Sequence, residues 1–167
     1  KVFGETCPQY LFLTAADLDG AASTSENAAF KTVLVDQGSG NLVVPNGSLG
    51  HRYGDEGLGR WNLELGDVVP ALSLIDDGQG VTVRLPRFDT ATGDAATDAA
   101  GPTALRGVPT RRVGDRVVTT VFDLLLAQYG VGREGLPGQW PTGYEDAEGL
   151  YTPAWQEKIT GVPRQQL

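Results

Sequence analysis

Residues 120–129 read Thr-Val-Phe-Asp-Leu-Leu-Leu-Ala-Gln-Tyr, and this stretch carries the strongest helical signal in the chain. On a helix of 3.6 residues per turn, its apolar side chains fall on most sides. Thr119 or Thr120 can cap the amino end by accepting from the amides ahead of it, and Gly130 can end the helix. The pattern therefore predicts a buried helix over residues 120–129.

Two further helix start signals lie near the carboxyl end of the sequence. Thr152-Pro153 combines an N-cap residue with a proline whose fixed φ suits the first helical turn, and Gly161 follows as a stop. Val162-Pro163 repeats the start signal shortly before Leu167. We expect a second helix that begins at Thr152-Pro153 and ends at Gly161. A third helix start so close to the last residue indicates that the chain is a segment of a longer polypeptide.

Upstream of these helices, short apolar runs alternate with turn residues. Near the amino end, Thr14 is predicted to cap a short helical turn that Gly20 ends. The runs at 32–35 and 42–44, split by a glycine-containing loop, predict a hairpin. Single strands are predicted at 61–65, 71–75 and 81–85. A second hairpin is predicted at 108–118, where Gly114-Asp115 separates two apolar runs.

Residues 89–103 interrupt this series of strands. They are Asp, Thr, Ala, Gly and Pro with almost no large apolar side chain, so they cannot add to a core. The predicted organisation is a hairpin-rich β segment over 1–88, a flexible linker or loop over 89–103, and a hairpin followed by helices over 104–167. The fold class is α+β, with hairpins first and two helices in the last third.

Composition and charge exclude several classes of function. With 21 acidic and 13 basic residues the net charge is −8, which repels phosphate backbones, so nucleic acid is not an expected partner. The local basic group formed by Arg111-Arg112 and Arg116 is interpreted as solvated strand ends. No apolar run approaches the roughly 20 residues of a membrane span, and no signal peptide is visible. A single cysteine favours a reducing compartment.

The side chains that could carry chemistry are few. His51 is the only histidine and Cys7 the only cysteine, and no nucleophile, zinc or phosphate-loop motif occurs. Gly38-Ser39-Gly40 is interpreted as a hairpin loop. The remaining candidates are the adjacent carboxylates, taken as solvated turns, and the scattered tryptophans, taken as core or interface anchors: Asp55-Glu56, Asp76-Asp77, Trp61, Trp140 and Trp155. We therefore predict no catalytic, cofactor-binding or metal-binding residue in this chain.

Several motifs resemble a known enzyme family. Residues 152–163, Thr-Pro-Ala-Trp-Gln-Glu-Lys-Ile-Thr-Gly-Val-Pro, resemble a stretch that recurs in molybdopterin oxidoreductases of the dimethyl-sulfoxide-reductase class. Residues 27–35, 43–54, 59–64 and 117–130 are similar, in the same order, to respiratory nitrate reductase alpha subunits, with the actinobacterial type the most similar. The resemblance extends over about residues 13–167.

This resemblance implies that the chain is part of a larger molybdopterin oxidoreductase fold. A complete subunit of the family holds molybdenum between two molybdopterin guanine dinucleotides, together with one 4Fe–4S cluster. It reduces nitrate to nitrite in anaerobic respiration, at the cytoplasmic face of the membrane, with electrons from an iron–sulfur beta subunit and a membrane cytochrome b subunit. The family's cluster motif and molybdenum-ligating aspartate lie in earlier sequence, so no such residue is carried over. The expected role is structural support without activity of its own.

Two other interpretations start from other residues. Residues 1–14 resemble a segment of hydantoinases and dihydropyrimidinases, which allows a remnant of a cyclic amidohydrolase. The glycine-, tyrosine- and arginine-containing loop at 46–60 allows a stand-alone protein-binding module that uses Arg52.

Overall fold

The computed structural model describes residues 2–3, 12–25, 27–46, 63–86 and 103–166. The chain divides into a first unit, Lys1–Leu72 with Val113–Val118, and a second unit, Ser73–Arg112 with Thr119–Leu167. The strands are β1 (Val2–Phe3), β2 (Leu34–Val35), β3 (Leu42–Val43), β4 (Gly80–Pro86), β5 (Thr103–Pro109), β6 (Arg111–Val113) and β7 (Arg116–Val118). The α-helices are α1 (Val121–Gln128) and α2 (Pro153–Thr160). Small antiparallel sheets with two helices confirm the mixed α+β class.

The first unit is built largely from short turns. One 3-10 turn spans Ala15–Asp17, and others span Gly20–Ala22 and Ala28–Phe30. Thr14 precedes the first turn as predicted, and its amide donates to Asp17 Oδ2 at 2.8 Å. This turn ends at Leu18 and not at Gly20, because Asp17 is bound back to Thr14 and closes a single turn. Gly20, with φ 77°, begins the next turn.

The hairpin predicted at 32–44 is confirmed. Strands β2 and β3 pair antiparallel, with Leu34 opposite Val43. Asp36 closes the loop, because its Oδ2 accepts from the amide of Ser39 at 3.0 Å and from the hydroxyl at 2.6 Å. Gly38-Ser39-Gly40 is therefore a hairpin loop, as predicted. Also within the first unit, β1 pairs antiparallel with β7.

Two predicted strands are not found in the described residues. Within 63–65, Glu64 makes an isolated bridge with Asn46, and residues 61–62 lie outside the described ranges. The strand predicted at 71–75 is wrong, because Ile75–Asp77 forms a 3-10 turn. The backbone amide of Leu74 donates to a carboxylate, Asp123 Oδ2, at 2.9 Å instead of to a neighbouring strand.

The second unit is organised around a two-stranded ladder. The strand predicted at 81–85 is confirmed as β4, which pairs antiparallel with β5 from Gly80 opposite Pro109 to Pro86 opposite Thr103. The buried apolar side chains of this unit are Leu74, Val83, Leu85, Ala104, Val108, Ala127 and Ala154. Gly107 lies where the backbone of Pro137 approaches, and a Cβ there would stand 2.8 Å from the Pro137 oxygen. Only glycine fits this contact.

The hairpin predicted around Gly114-Asp115 is confirmed. Gly114 has φ 59°, the left-handed conformation that a tight hairpin turn requires. Strands β6 and β7 are neighbours in the order β1-β7-β6. The first strand begins at Arg111 and not at 108, because residues 108 and 109 belong to the ladder with β4.

The bounds of both helices follow the predicted signals. Thr120 caps α1 and accepts from the amide of Asp123 at 2.9 Å. Thr152 caps α2, Pro153 is its first residue, and Gly161 ends it with φ 73°. The third start signal is followed by a 3-10 turn at Arg164–Gln166. Among the helices within the described ranges, none is long and apolar enough to cross a membrane.

The prediction that the first helix is buried is wrong for one of its apolar sides. Val121, Phe122, Leu125 and Tyr129 are 46%, 41%, 49% and 56% exposed, while Asp123 and Ala127 are 0% exposed. The physical reason is polar. The side of the helix that faces inward carries the Asp123 carboxylate and the carbonyl groups that bind charged side chains of the second unit.

Candidate functional site

The amino end of α1 is held by a buried carboxylate. Asp123 Oδ1 accepts from Ser73 Oγ and from Arg133 Nη1, both at 2.6 Å. Its Oδ2 accepts from Leu74 N and from Thr120 Oγ1, both at 2.9 Å. A carboxylate offers about four lone-pair positions, so the two oxygens are fully used. We call these five residues the Asp123 cluster.

The chemistry of the Asp123 cluster is that of a fixed ion pair. A carboxylate removed from water is tolerated only when it is paired and hydrogen-bonded, and four donors meet that need here. A negative charge in the first turn also interacts favourably with the helix dipole. Because every acceptor position is occupied, Asp123 has no lone pair left to bind a metal or to take a proton from a substrate.

Arg133 is used only through one of its nitrogens. Nη1 donates to Asp123 and also to Ser73 Oγ at 2.9 Å. The other two nitrogens, Nε and Nη2, are buried and have no hydrogen-bond partner among the described residues, although the side chain as a whole is 16% exposed. Buried donors without a partner are uncommon in native proteins.

The carboxyl end of α1 is held by a buried cation. Arg106 is 2% exposed, and its Nη1 donates to the carbonyl oxygens of Ala127 and Gln128 at 2.7 and 2.8 Å. Its Nε donates to Gln139 O at 3.1 Å, and the guanidinium lies 5.6 Å from the centre of the Trp140 ring. Burial lowers the pKa of Arg106. An arginine stays protonated in proteins, so a full positive charge faces the negative end of the helix dipole.

A cleft of about 480 Å³ opens beside Arg106 in the second unit. Its rim includes the loop that begins at Trp140 and continues to Leu150. Asp146 shapes this loop by accepting from the amides of Thr142 and Gly149 at 3.0 and 2.8 Å. The amide of Thr142, followed by that of Gly149, lowers the pKa of Asp146. The carboxylate therefore serves the backbone of its own loop.

The arginines expected to be solvated strand ends are mostly paired, which corrects that interpretation. Arg111 contacts Asp77 through Nε at 2.7 Å and Nη2 at 3.0 Å, and both side chains are 26% exposed. Asp77 is thus one half of a two-pronged ion pair and not a solvated turn residue. Arg116 forms an ion pair with Asp17 in the first unit, and this guanidinium lowers the pKa of Asp17.

The tryptophans that the structure describes make packing contacts, as predicted. Trp140 donates from Nε1 to Leu136 O at 3.1 Å and lies under Arg106. Trp155 meets Tyr151 edge to face at a centroid distance of 5.2 Å, and Tyr151 meets Tyr129 at 6.0 Å. Trp61 lies outside the described residues.

Several other candidates also lie outside the described residues: Cys7, His51, Arg52, Asp55 and Glu56, with most of the loop at 46–60. Within the part of the chain that is described, no group of three or more His, Cys, Asp and Glu side chains could hold a metal. A 4Fe–4S cluster takes four cysteine ligands, and the sequence has one cysteine. The residues of this chain alone do not fit such a cluster.

The two anchors of α1 escaped prediction from sequence. Arg106 sits in an ordinary apolar strand sequence, and nothing near it indicates a helix end 21 residues later. Asp123 did offer a signal, because a lone acid within a strongly apolar helix has to be exposed or paired. Its partners, Ser73 and Leu74, lie about fifty positions upstream and could not be named from local patterns.

These contacts define a framework segment, in which buried charges fix the position of a helix. Comparison with known proteins indicates which protein this segment corresponds to. The chain is 55% identical over 161 residues to the nitrate reductase alpha subunit of Mycobacterium tuberculosis, a match to 93% of this chain and 12% of that protein. It is 37% identical over 172 residues to the respiratory nitrate reductase 1 alpha chain of Escherichia coli, and 32% over 168 residues to the nitrate reductase alpha chain of Bacillus subtilis. No family model matches the chain.

The chain corresponds to a fragment of a nitrate reductase alpha subunit. It spans 12% to 13% of the length of the three relatives above. The resemblance deduced from the sequence motifs is thereby confirmed. The relatives support neither the amidohydrolase interpretation of residues 1–14 nor the stand-alone module at 46–60.

Proposed function

We propose that this chain is a supporting segment of the catalytic alpha subunit of a respiratory nitrate reductase, an oxidoreductase that reduces nitrate to nitrite. The observation that carries the proposal is the 55% identity over 161 residues to a nitrate reductase alpha subunit. At such identity over nearly the whole chain, the segment takes the same place in the same kind of protein. Alone, it is inactive.

The supporting role agrees with how the described side chains are used. The side chains of Asp123 and Arg106 bind groups that fix the two ends of α1. Asp77 and Asp146 are engaged with an arginine and with loop amides. These groups fix the local structure. That this segment supplies no catalytic, cofactor-binding or metal-binding residue remains a prediction.

The cofactors and partners of the whole protein follow from the family resemblance. We assign the molybdenum with its two molybdopterin guanine dinucleotides, and the 4Fe–4S cluster, to the remainder of the alpha subunit. Bound there, the metals supply the electron transfer to nitrate. The proposed partners are an iron–sulfur beta subunit and a membrane cytochrome b subunit, with the complex at the cytoplasmic face of the membrane.

A chimeric alpha subunit tests the proposal. In the Mycobacterium tuberculosis protein, the matched segment is replaced by the corresponding residues of this chain, and nitrate reduction is measured with a dye as electron donor. We expect the chimera to accumulate and to reduce nitrate, whereas a subunit lacking the segment does not accumulate. A chimera that accumulates with its cofactors and reduces no nitrate contradicts the proposal. Stoichiometric molybdenum in the purified 167-residue chain also contradicts it.

A further inference from the structure

Helix α1 presents its apolar side to solvent. Val121, Phe122, Leu125 and Tyr129, which we call the apolar stripe, are each between 41% and 56% exposed. At about 100° per residue these four positions fall within an arc of roughly 100°. Asp123 and Ala127, both fully buried, lie on the opposite side. Leu124 and Leu126 are half-buried, so the helix has apolar side chains on both sides and exposes four large ones while it buries a carboxylate.

This arrangement of α1 is locked. Asp123 fixes the amino end of α1 through Ser73, Leu74 and Arg133, and Arg106 fixes the carboxyl end through two carbonyl oxygens. Rolling the stripe inward would break the hydrogen bonds at both ends and leave the guanidinium groups of Arg106 and Arg133 without these acceptors. Burying four large apolar side chains does not offset that loss.

The stripe continues beyond the helix. Tyr129 contacts Tyr151 edge to face, and Tyr151 contacts Trp155 in the same way. Val131, just after the helix, is 47% exposed. Tyr151 and Trp155 are half-buried, so the exposed apolar set is the stripe with Val131, and such a cluster of exposed large apolar side chains is typical of an interaction site.

We propose that the apolar stripe is an interface inside the alpha subunit, covered by apolar side chains from the part of that polypeptide outside this segment. This inference rests on the proposed function. Its occupant follows from length: the matched relatives extend over about eight times the length that this chain matches, since the match covers 12% of them. The rest of the alpha subunit is therefore covalently linked to the stripe and can cover it. Covering the stripe requires neither a second copy of this chain nor a separate partner protein.

Thiol footprinting tests the interface directly. Leu125→Cys places a thiol in the stripe, and Glu134→Cys places one at an exposed polar position nearby as the matched control. Each variant is made in the 167-residue chain and in the chimeric alpha subunit. Labelling by a maleimide is followed for each peptide by mass spectrometry. We expect the thiol at 125 to react at least about tenfold more slowly in the chimera than in the isolated chain, and the thiol at 134 to change by less than about twofold.

Each outcome decides the proposal. Equal labelling at 125 in both proteins overturns it. Slow labelling at 125 in the isolated chain that depends on concentration shows a second copy on the stripe, and also overturns it. If circular dichroism shows that the isolated chain is unfolded, the two positions are compared within the chimera, where equal reactivity refutes the interface. If the unsubstituted chimera fails to reduce nitrate, that result counts against the proposed function. The labelling of the thiol at 125 can still be measured in the assembled subunit, and it decides the interface separately.

Discussion

Removing the carboxylate of Asp123 should be among the most damaging single changes in the second unit. Asp123→Ala leaves the Arg133 guanidinium without a counter-charge and the Leu74 amide without an acceptor. Breaking a buried ion pair by deleting one partner costs about 3–5 kcal/mol. Arg133 remains 16% exposed and can gain some water, so we place the loss near 4 kcal/mol.

Asp123→Asn should be milder because it keeps the shape and one acceptor oxygen. That oxygen can still accept from Ser73 and Arg133, whereas the new amide group faces Leu74 N, which is itself a donor. The expected loss in the free energy of unfolding is about 2 kcal/mol, the cost of one unpaired buried donor together with a weakened ion pair.

Urea unfolding followed by tryptophan fluorescence measures both losses. Replacing Trp61 with Phe leaves Trp140 and Trp155, both in the second unit, as reporters. Because domains are stable by only about 5–15 kcal/mol, an osmolyte is added if Asp123→Ala lacks a folded baseline.

A double-mutant cycle with Arg133→Met isolates the pair. Once Asp123 is gone, losing Arg133 should cost about 2 kcal/mol less than it does in the wild-type chain. Costs that add within about 0.5 kcal/mol refute the reasoning, because the pair then contributes nothing beyond its separate members.

Three further predictions concern other contacts. Arg106→Lys keeps the charge but loses the planar group that reaches three carbonyls, so the free energy of unfolding should fall by about 2 kcal/mol in the same urea assay; an unchanged midpoint contradicts this. Gly107→Ala places a Cβ 2.7 Å from a proline carbon and should cost at least about 2 kcal/mol, whereas Gly38→Ala, with its nearest atom at 3.7 Å, should be tolerated. Asp17 has a pKa lowered from 3.8 by Arg116, so its stabilisation is present above about pH 4 and is lost as the pH falls through the folded-state pKa. Asp17→Asn should remove that part of the decline in urea midpoint, and an identical pH profile for the variant would count against the ion pair.

The elements that could be predicted are those whose signals are local. Helix α2 was predicted at both ends because Thr152, Pro153 and Gly161 each act on the backbone within a few residues. The two hairpins were predicted for the same reason, since a two-residue turn such as Gly114-Asp115 fixes the pairing of its own flanks. Local chemistry needs no knowledge of distant partners.

The errors arose where a distant side chain competes with the local pattern. Residues 71–75 are mostly apolar, as in a strand, yet the Asp123 carboxylate, about fifty residues away, accepts from the Leu74 amide. The ladder between β4 and β5 was missed because its strands are separated by residues 87–102, which carry no pairing signal. Arg106 could not be recognised as a helix anchor, because its acceptors are backbone carbonyls that have no sequence signature.

The burial of α1 was predicted from hydrophobicity alone, and the outcome shows how the competing energies are ordered. Leaving the four side chains of the apolar stripe about half exposed sacrifices about half of the roughly 1.5–3 kcal/mol that full burial of each provides, or about 3–6 kcal/mol together. Rotating the helix breaks the Asp123–Arg133 ion pair, at a cost of about 3–5 kcal/mol, and the hydrogen bonds of the buried Arg106 guanidinium to Ala127 and Gln128, at about 1.5–3 kcal/mol each. Within this segment the contacts of Asp123 and Arg106 therefore set the orientation of α1. The apolar pattern of 120–129 still indicates a buried helix, but in the whole alpha subunit and not in this segment alone. A helix that is apolar on most sides is typical of a buried position, and the interface proposed with the rest of the alpha subunit buries the side of α1 that is exposed in this segment.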